Sequence, residues 1–434
     1  MELNKKEIYK CLNSRKFKIS HKKLRYIVHT TFDNTRRILY GYKFETKNNT
    51  LNPLLWEYGH FIYFWTRFII KNLQIKDKNV ENIKIYLYKL KLYFNKNGEL
   101  YDSHKTSKEF RYSYYQYLIP NNKLNMLMAD IYNLIICVIK HNYNKINSYL
   151  IYLGCIHQNI QNEVFLFNYN NAHLNLPPTI RLNFDKVDSK LYKSIEMIKI
   201  KGGKMKQGVS KKTSKFYFDN EYPTFNIKIK DFYVSRHCIT NNQYLDFVND
   251  NGYNNKYYWS KEGWDFIKKN HMRYPKFWLY GENKQFYEIV FGKYYLLRDN
   301  YPVMVSWYEA RAFCRWNKSR LLTESEWEYL ADNNDNAVFD YNEPVSVIQE
   351  KNKNRHGVYG LYGNYWEWCD NSIYPYDGYI IDPVDRHKSF SSFGYKKICR
   401  GGAWCVPKYL ATRTYRNSQF PDCNYQFITF RVAM

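Results

Sequence analysis

No Cys-x-x-Cys pair occurs among the nine cysteines, which are odd in number and irregularly spaced. That argues against a disulfide framework and fits a reducing, cytoplasmic setting in which most thiols serve as small core residues. The opening Met1-Glu2-Leu3-Asn4-Lys5-Lys6-Glu7 lacks the apolar core of a secretory signal. A long apolar run is also missing. Residues 124–139 come nearest, but the run is shorter than a span and carries Asp130, so it is expected as a buried bundle helix with no membrane association. No internal repeat is visible. Acidic residues are scarce, 40 against 66 basic ones, for a net charge of +26. The lysines are spread through the whole chain among Asn, Tyr and Ile, and their densest run, residues 199–215, contains glycines as a solvated loop would. Without a nucleic-acid fold motif, that charge is read as solvated surface, and nucleic acid is not an expected partner.

The 434 residues exceed one ordinary core, so two domains are expected. A hydrophobic content of 45%, with 19% aromatics, excludes wholesale disorder. Residues 51–169 read as long helices. The run Leu55-Trp56-Glu57-Tyr58-Gly59-His60-Phe61-Ile62-Tyr63-Phe64-Trp65 is apolar nearly all round, as a helix inside a bundle is, and Asn52-Pro53 marks its start. Residues 146–167 form another such helix. Periodicity then fades, and Pro177-Pro178 marks a linker.

Beyond the linker the texture is that of an α+β domain. Phe225-Asn226-Ile227-Lys228-Ile229 alternates as a half-buried strand does. Helices are expected at residues 241–249 after Thr240, at 307–317 after Ser306, and after Thr323, where Glu326 completes a capping-box spacing.

The chemistry-bearing residues are few. His60 lies on the first buried helix; His157 and Gln161 lie four apart on the last, hence on one face of it. An i, i+4 pair completed from a facing helix is a common way to build a metal site in a bundle. The alternative is a buried, hydrogen-bonded polar cluster that binds no metal.

Several motifs carry a resemblance. Val305-Ser306-Trp307-Tyr308-Glu309-Ala310, Leu322-Thr323-Glu324-Ser325-Glu326-Trp327-Glu328, Cys399-Arg400-Gly401-Gly402-Ala403-Trp404, Thr414-Tyr415-Arg416-Asn417 and Phe430-Arg431-Val432 resemble the formylglycine-generating-enzyme-like (sulfatase-modifying factor) domain, a variant of the C-type-lectin fold. That fold hosts several chemistries, so the activity must be argued from other residues. Trp56-x3-His60, Leu100-Tyr101-Asp102-Ser103 with Arg111, Leu118-Ile119-Pro120, His157-x3-Gln161-x-Glu163, Phe218-Asp219-Asn220-Glu221 and Gly363-Asn364-Tyr365-Trp366-Glu367-Trp368 resemble the sulfoxide synthases of ergothioneine biosynthesis and the related selenoneine synthase.

The resemblance implies an α+β chain of two domains. A DinB-like four-helix bundle would span 41–170, after an N-terminal extension at 1–40. A linker at 171–195 would lead to a formylglycine-generating-enzyme-like domain at 196–434. It implies a non-haem Fe(2+) oxidoreductase, with iron held by His60, His157 and Gln161, and with Glu163 supporting the ligands or tying helices together. The reaction would use O2 to form a C–S or C–Se bond between a histidine betaine and a thiol or selenol donor. Arg111, Trp368, Tyr415, Asn417 and Gln419 would contact substrate. A structural Ca(2+) in the second domain stays open.

Two positions depart from the family. Gln161 replaces the third imidazole, and residues 382–389 carry no proton-donating tyrosine, leaving Tyr379 and Tyr395 on the flanks as shifted donors. Gln419 and Cys423 stand where relatives hold a thiol peptide with charged residues, which implies a different donor. A catalytically silent binding or scaffold protein of the same fold is therefore the competing reading. Formylglycine generation itself is rejected, because Cys405 is a single thiol where that activity needs two.

Overall fold

The computed structural model describes residues 5–41, 51–76, 81–94, 98–103, 105–182, 191–332, 335–382 and 392–434. Its N-terminal part is helical: α1 (Lys5–Ser14), α2 (His21–Leu39), α3 (Leu54–Phe64), α4 (Glu81–Phe94), α5 (Lys108–Ser113), α6 (Asn121–His141) and α7 (Lys145–Asn171). Helices α2, α3, α6 and α7 pack on one another as a four-helix core, with α4 outside α6.

Three sequence expectations change here. Residues 1–40 are not a bare extension, because α2 lies along α7 as a full member of the core. It buries Leu24, Ile27, Val28, Thr31, Phe32, Thr35, Ile38 and Leu39, a helical spacing, and Ser20 caps its first turn. The run at 124–139 belongs to a 21-residue helix. By length and composition α6 suffices to cross a membrane, the one such helix among the described residues. It buries Leu127, Ile131, Leu134, Ile135 and Val138 against its neighbours. The last bundle helix outruns its expected end at 167, since α7 runs on to Asn171. Asn168 donates to Val164 O inside the helix, while Asn170 Oδ1 accepts the Phe291 N–H at 2.8 Å.

The C-terminal part mixes short strands and helices. The strands β1 (Met197–Ile200), β2 (Gly203–Gln207), β3 (Phe225–Ile229) and β4 (Phe232–Ser235) precede α8 (Asn241–Asn249) and α9 (Lys261–Lys269). A meander of β5 (Trp278–Tyr280), β6 (Phe286–Val290) and β7 (Lys293–Leu296) follows, then α10 (Trp307–Trp316), β8 (Arg320–Leu321) and α11 (Glu324–Leu330). The chain closes with β9 (Trp366–Ser372), β10 (Lys397–Arg400), β11 (Asn417–Gln419), β12 (Ile428–Thr429) and β13 (Val432–Ala433). Two four-stranded sheets result, ordered β1-β4-β13-β8 and β11-β10-β9-β12. The expected caps form: Thr240, Ser306 and Thr323 each accept an N–H from the first turn, and Gln243, Glu309 and Glu326 reach back to the cap.

The Arg-Gly-Gly motif has a physical reason. Gly401 and Gly402 adopt φ of 97° and 90°, and a Cβ on Gly401 would meet Leu361 O at 2.5 Å. This tight backbone delivers Arg400, fully buried, to Glu328 Oε2 at 2.8 Å and to the carbonyls of Arg413, Thr414 and Tyr415. Glu324 accepts from Arg416 at 2.7 and 2.9 Å, and Glu367 accepts from Arg431 at 2.6 and 2.8 Å. These buried arginines knit together loops that have few ladder hydrogen bonds of their own.

A candidate metal and active site

Helix α7 is buried from Ile146 to Asn171 except at His157, Ile160 and Val164, and α3 is buried except at His60 and Phe64. At 100° per residue those three positions of α7 form one narrow patch. The two helices open at the same place. The His60 and His157 rings lie 5.4 Å apart, and Phe64 stacks on His157 at 3.8 Å, with 8° between planes.

The orientation of His60 is built from local structure. Residues Trp56, His60 and Tyr63 share one face of α3 and grip residues 100–102. The Trp56 indole donates to Leu100 O at 2.7 Å, His60 Nδ1 lies 2.8 Å from Tyr101 O, and the Tyr63 hydroxyl donates to Asp102. A carbonyl only accepts, so Nδ1 carries the hydrogen and the neutral ring keeps its lone pair on Nε2. A metal-ligating histidine is usually held in just this way. Gly59 makes the approach possible, since a Cβ there would sit 2.0 Å from Tyr101 Cε1. Behind His60, Trp56 stacks at 5.0 Å and the Arg111 guanidinium covers the other indole face at 3.9 Å. Arg111 also donates to Asn52 Oδ1 and to the carbonyls of Ser103 and Thr106, so the expected substrate contact is occupied as a brace for Trp56.

Gln161 follows His157 by one turn on the same face, and its Oε1 is buried with no hydrogen-bond partner among the described residues. Two imidazoles and one uncommitted amide oxygen are donor types that a divalent ion accepts, with the oxygen the poorer donor toward iron. No group of three or more His, Cys, Asp or Glu suited to a metal occurs among the described residues.

Glu163 reaches away from this face. Its Oε1 accepts the Trp366 indole N–H at 2.7 Å, so it ties α7 to β9 rather than one bundle helix to another. Burial lifts its carboxyl from an ordinary 4.5 to about 7, against the indole hydrogen bond, which favours the anion. The folded protein therefore holds an extra proton between those values. The stability that proton contributes is fully present below pH 4.5 and is lost as pH rises through 7. Glu163→Gln keeps an acceptor for the indole and cannot titrate. Its melting temperature should gain on wild type from about pH 5 to about pH 8, and a gap independent of pH would show that Glu163 does not titrate in the fold.

The remaining expected residues scatter. Trp368 is buried in β9 and donates to Val305 O at 2.9 Å, which leaves no open face for a cage. Tyr415 is buried between Phe218 and Trp366, at 5.6 and 5.9 Å. Asn417 and Gln419 lie on β11, opposite Cys399 and Lys397 of β10. The Tyr379 hydroxyl donates to Asp219 Oδ2 at 2.7 Å, and its ring meets Phe393. Asp382 is buried and pairs with Arg15, while 383–389 lie outside the described residues. All nine cysteines are free; seven, Cys405 among them, are buried, and burial pushes the Cys405 thiol up. Sequence reasoning missed Phe64, though it stands four residues from His60, a readable signal. Trp366 is legible as part of a motif, but not as the partner of Glu163.

Residues 184–343 and 332–434 match the family model described as "Sulfatase-modifying factor enzyme 1-like domain". The chain is 26% identical over 237 residues to the hercynine oxygenase of Mycobacterium tuberculosis, covering 50% of this chain and 55% of that protein. It is 25% identical over 260 residues to the hercynine oxygenase of Mycolicibacterium smegmatis, covering 54% and 60%. It is 24% identical over 286 residues to the "Inactive C-alpha-formylglycine-generating enzyme 2" of Bos taurus, covering 55% of this chain and 88% of that protein. The chain thus spans between half and two thirds of the length of the two hercynine oxygenases.

Proposed function

The chain belongs to the sulfatase-modifying factor enzyme 1-like family, and on that premise we propose that it is a metal-dependent oxygenase of the ergothioneine-pathway type. Its substrates would be a histidine betaine, O2 and a thiol or selenol donor. The helical core would be the DinB-like bundle and residues 196–434 the formylglycine-generating-enzyme-like domain. The observation that carries this reading is the single opening shared by α3 and α7, at which His60 and His157 meet. The likeness to two hercynine oxygenases supports the substrate class.

His60, His157 and Gln161 would hold ferrous iron, which supplies oxygen activation when bound. The protein's own contribution is positioning. Tyr101 O directs Nε2 of His60 to the opening, Trp56 and Arg111 fix the ring plane, and Phe64 shields His157 from water on one face. On the C-terminal side Tyr425 packs against Phe167 of α7 at 5.7 Å, bringing the loop before β12 toward this end of the bundle.

The test is turnover. Protein loaded anaerobically with ferrous iron, then given histidine betaine, air and cysteine, γ-glutamylcysteine or a selenol, should yield a C–S or C–Se product by mass spectrometry. His60→Ala should lower the yield at least about 100-fold. The second reading, a catalytically silent binding protein, is favoured by Gln161 in place of an imidazole. Failure of iron-loaded protein to form product with any of these donors would favour it over the enzyme.

A further inference from the structure

A cavity of about 890 Å³ opens on the other side of α7 from the imidazoles. Its α7 wall is Tyr152, Ile156 and Asn159, each more than 90° around the helix from the nearer of His157 and Gln161. The volume falls within the range of sites that enclose small molecules.

The floor is a continuous aromatic surface. Phe216 contacts Phe17 at 6.4 Å, Tyr152 at 5.3 Å and Phe218 at 5.1 Å, and Tyr152 contacts Tyr409 at 5.7 Å. At the bottom, the Asn159 amide donates to the Tyr409 hydroxyl at 2.8 Å and to Thr31 at 2.9 Å. The rim is basic and exposed: Lys18 and Lys215 stand together, where Lys18 N–H donates to Ser214 O at 3.0 Å, Lys23 follows on the first turn of α2, and Arg37 lies near the far end of α2, its guanidinium donating to Thr179 O at 3.1 Å. Among the described residues, no carboxylate lies within ion-pairing distance of these four. Three acids also line the cavity. Glu221 is committed to Phe218 N and Thr414, and burial raises its carboxyl; Asp340 accepts the Lys408 N–H; Asp33 is half-buried on α2. Rings below, polar groups at the bottom and a cationic rim suit a planar heteroaromatic ring that carries anionic groups, rather than an alkyl chain.

We propose that this cavity binds a nucleoside phosphate, with the base on the aromatic floor and the phosphates at the Lys18, Lys23 and Lys215 end of the rim. Base stacking and phosphate pairing are separable contributions, so the ligand should be read by both.

The test is calorimetric titration of the metal-free full chain with ATP, adenosine and inorganic tripolyphosphate. ATP should saturate at one site and bind at least about tenfold more tightly than either fragment. The double variant Lys23→Glu, Lys215→Glu should weaken ATP at least about tenfold, while Lys228→Glu, Lys230→Glu, exposed at and beside β3, and His157→Ala should leave it unchanged. The proposal is overturned if ATP fails to saturate or if tripolyphosphate binds as tightly as ATP. It is likewise overturned if the β3 control or His157→Ala weakens ATP as much as the rim variant, or if decyl sulfate displaces ATP with the higher affinity.

Discussion

Replacing His157 with alanine is expected to abolish stoichiometric binding of ferrous iron, with at least about a 100-fold loss of affinity. The expectation follows from the donor count. Of the three candidate ligands only His60 and His157 are imidazoles, and an amide oxygen with one remaining nitrogen is a poor set for iron. Metal analysis after anaerobic loading and gel filtration reads the result, and circular dichroism checks that the helices persist. Gln161→His supplies the converse, since a third imidazole in the same place should raise affinity above wild type. A subtler arm uses Gly59→Ala. Its new Cβ would sit 2.0 Å from Tyr101 Cε1 and must displace the segment whose carbonyl orients His60. Disturbing such a support typically costs about 10- to 100-fold in metal affinity. Equal iron content in wild type and His157→Ala would remove the proposed centre.

The largest loss of stability is expected from Arg400→Leu. Arg400 is wholly buried, and its guanidinium serves Glu324, Glu328 and three carbonyls. Leucine would leave Glu328, itself fully buried, without its nearest cation, and those carbonyls without a donor. Removing one partner of a buried pair costs about 3–5 kcal/mol, because the remaining charge stays desolvated. For a chain of 434 residues unfolding as one unit that is roughly 3–6 °C in melting temperature. The double variant Arg400→Leu, Glu328→Leu should lose less than the single one, since removing both charges spares the unpaired carboxylate. Denaturant titration of the three proteins checks the order. A loss under about 1 kcal/mol in the single variant would mean that loop packing, not the ion cluster, holds the motif.

Legibility followed the range of the physics. The three caps were readable because a cap is settled within four residues. Helix α2 was equally readable from its apolar spacing, but the lysines and arginines between those positions obscured it. Residues 168–171 lie past the expected end of α7 because apolar periodicity fades among their asparagines. They stay helical because their amides find partners, one inside α7 and others across in the C-terminal part. Tyr379 illustrates the opposite limit, for nothing in its neighbourhood in sequence announces that Asp219 takes its hydroxyl.

By itself the sequence determined the capped helices after Thr240, Ser306 and Thr323, the strand at 225–229, the buried helices that carry His60 and His157, and the identities of His60, His157 and Gln161, all consequences of local periodicity and side-chain chemistry. Only the tertiary structure decided that α3 and α7 open at one shared point, that Tyr101 directs an imidazole there, and that Glu163 crosses to Trp366. These depend on how distant segments pack, and packing is selected by the burial of whole faces rather than by any residue's neighbours in the chain.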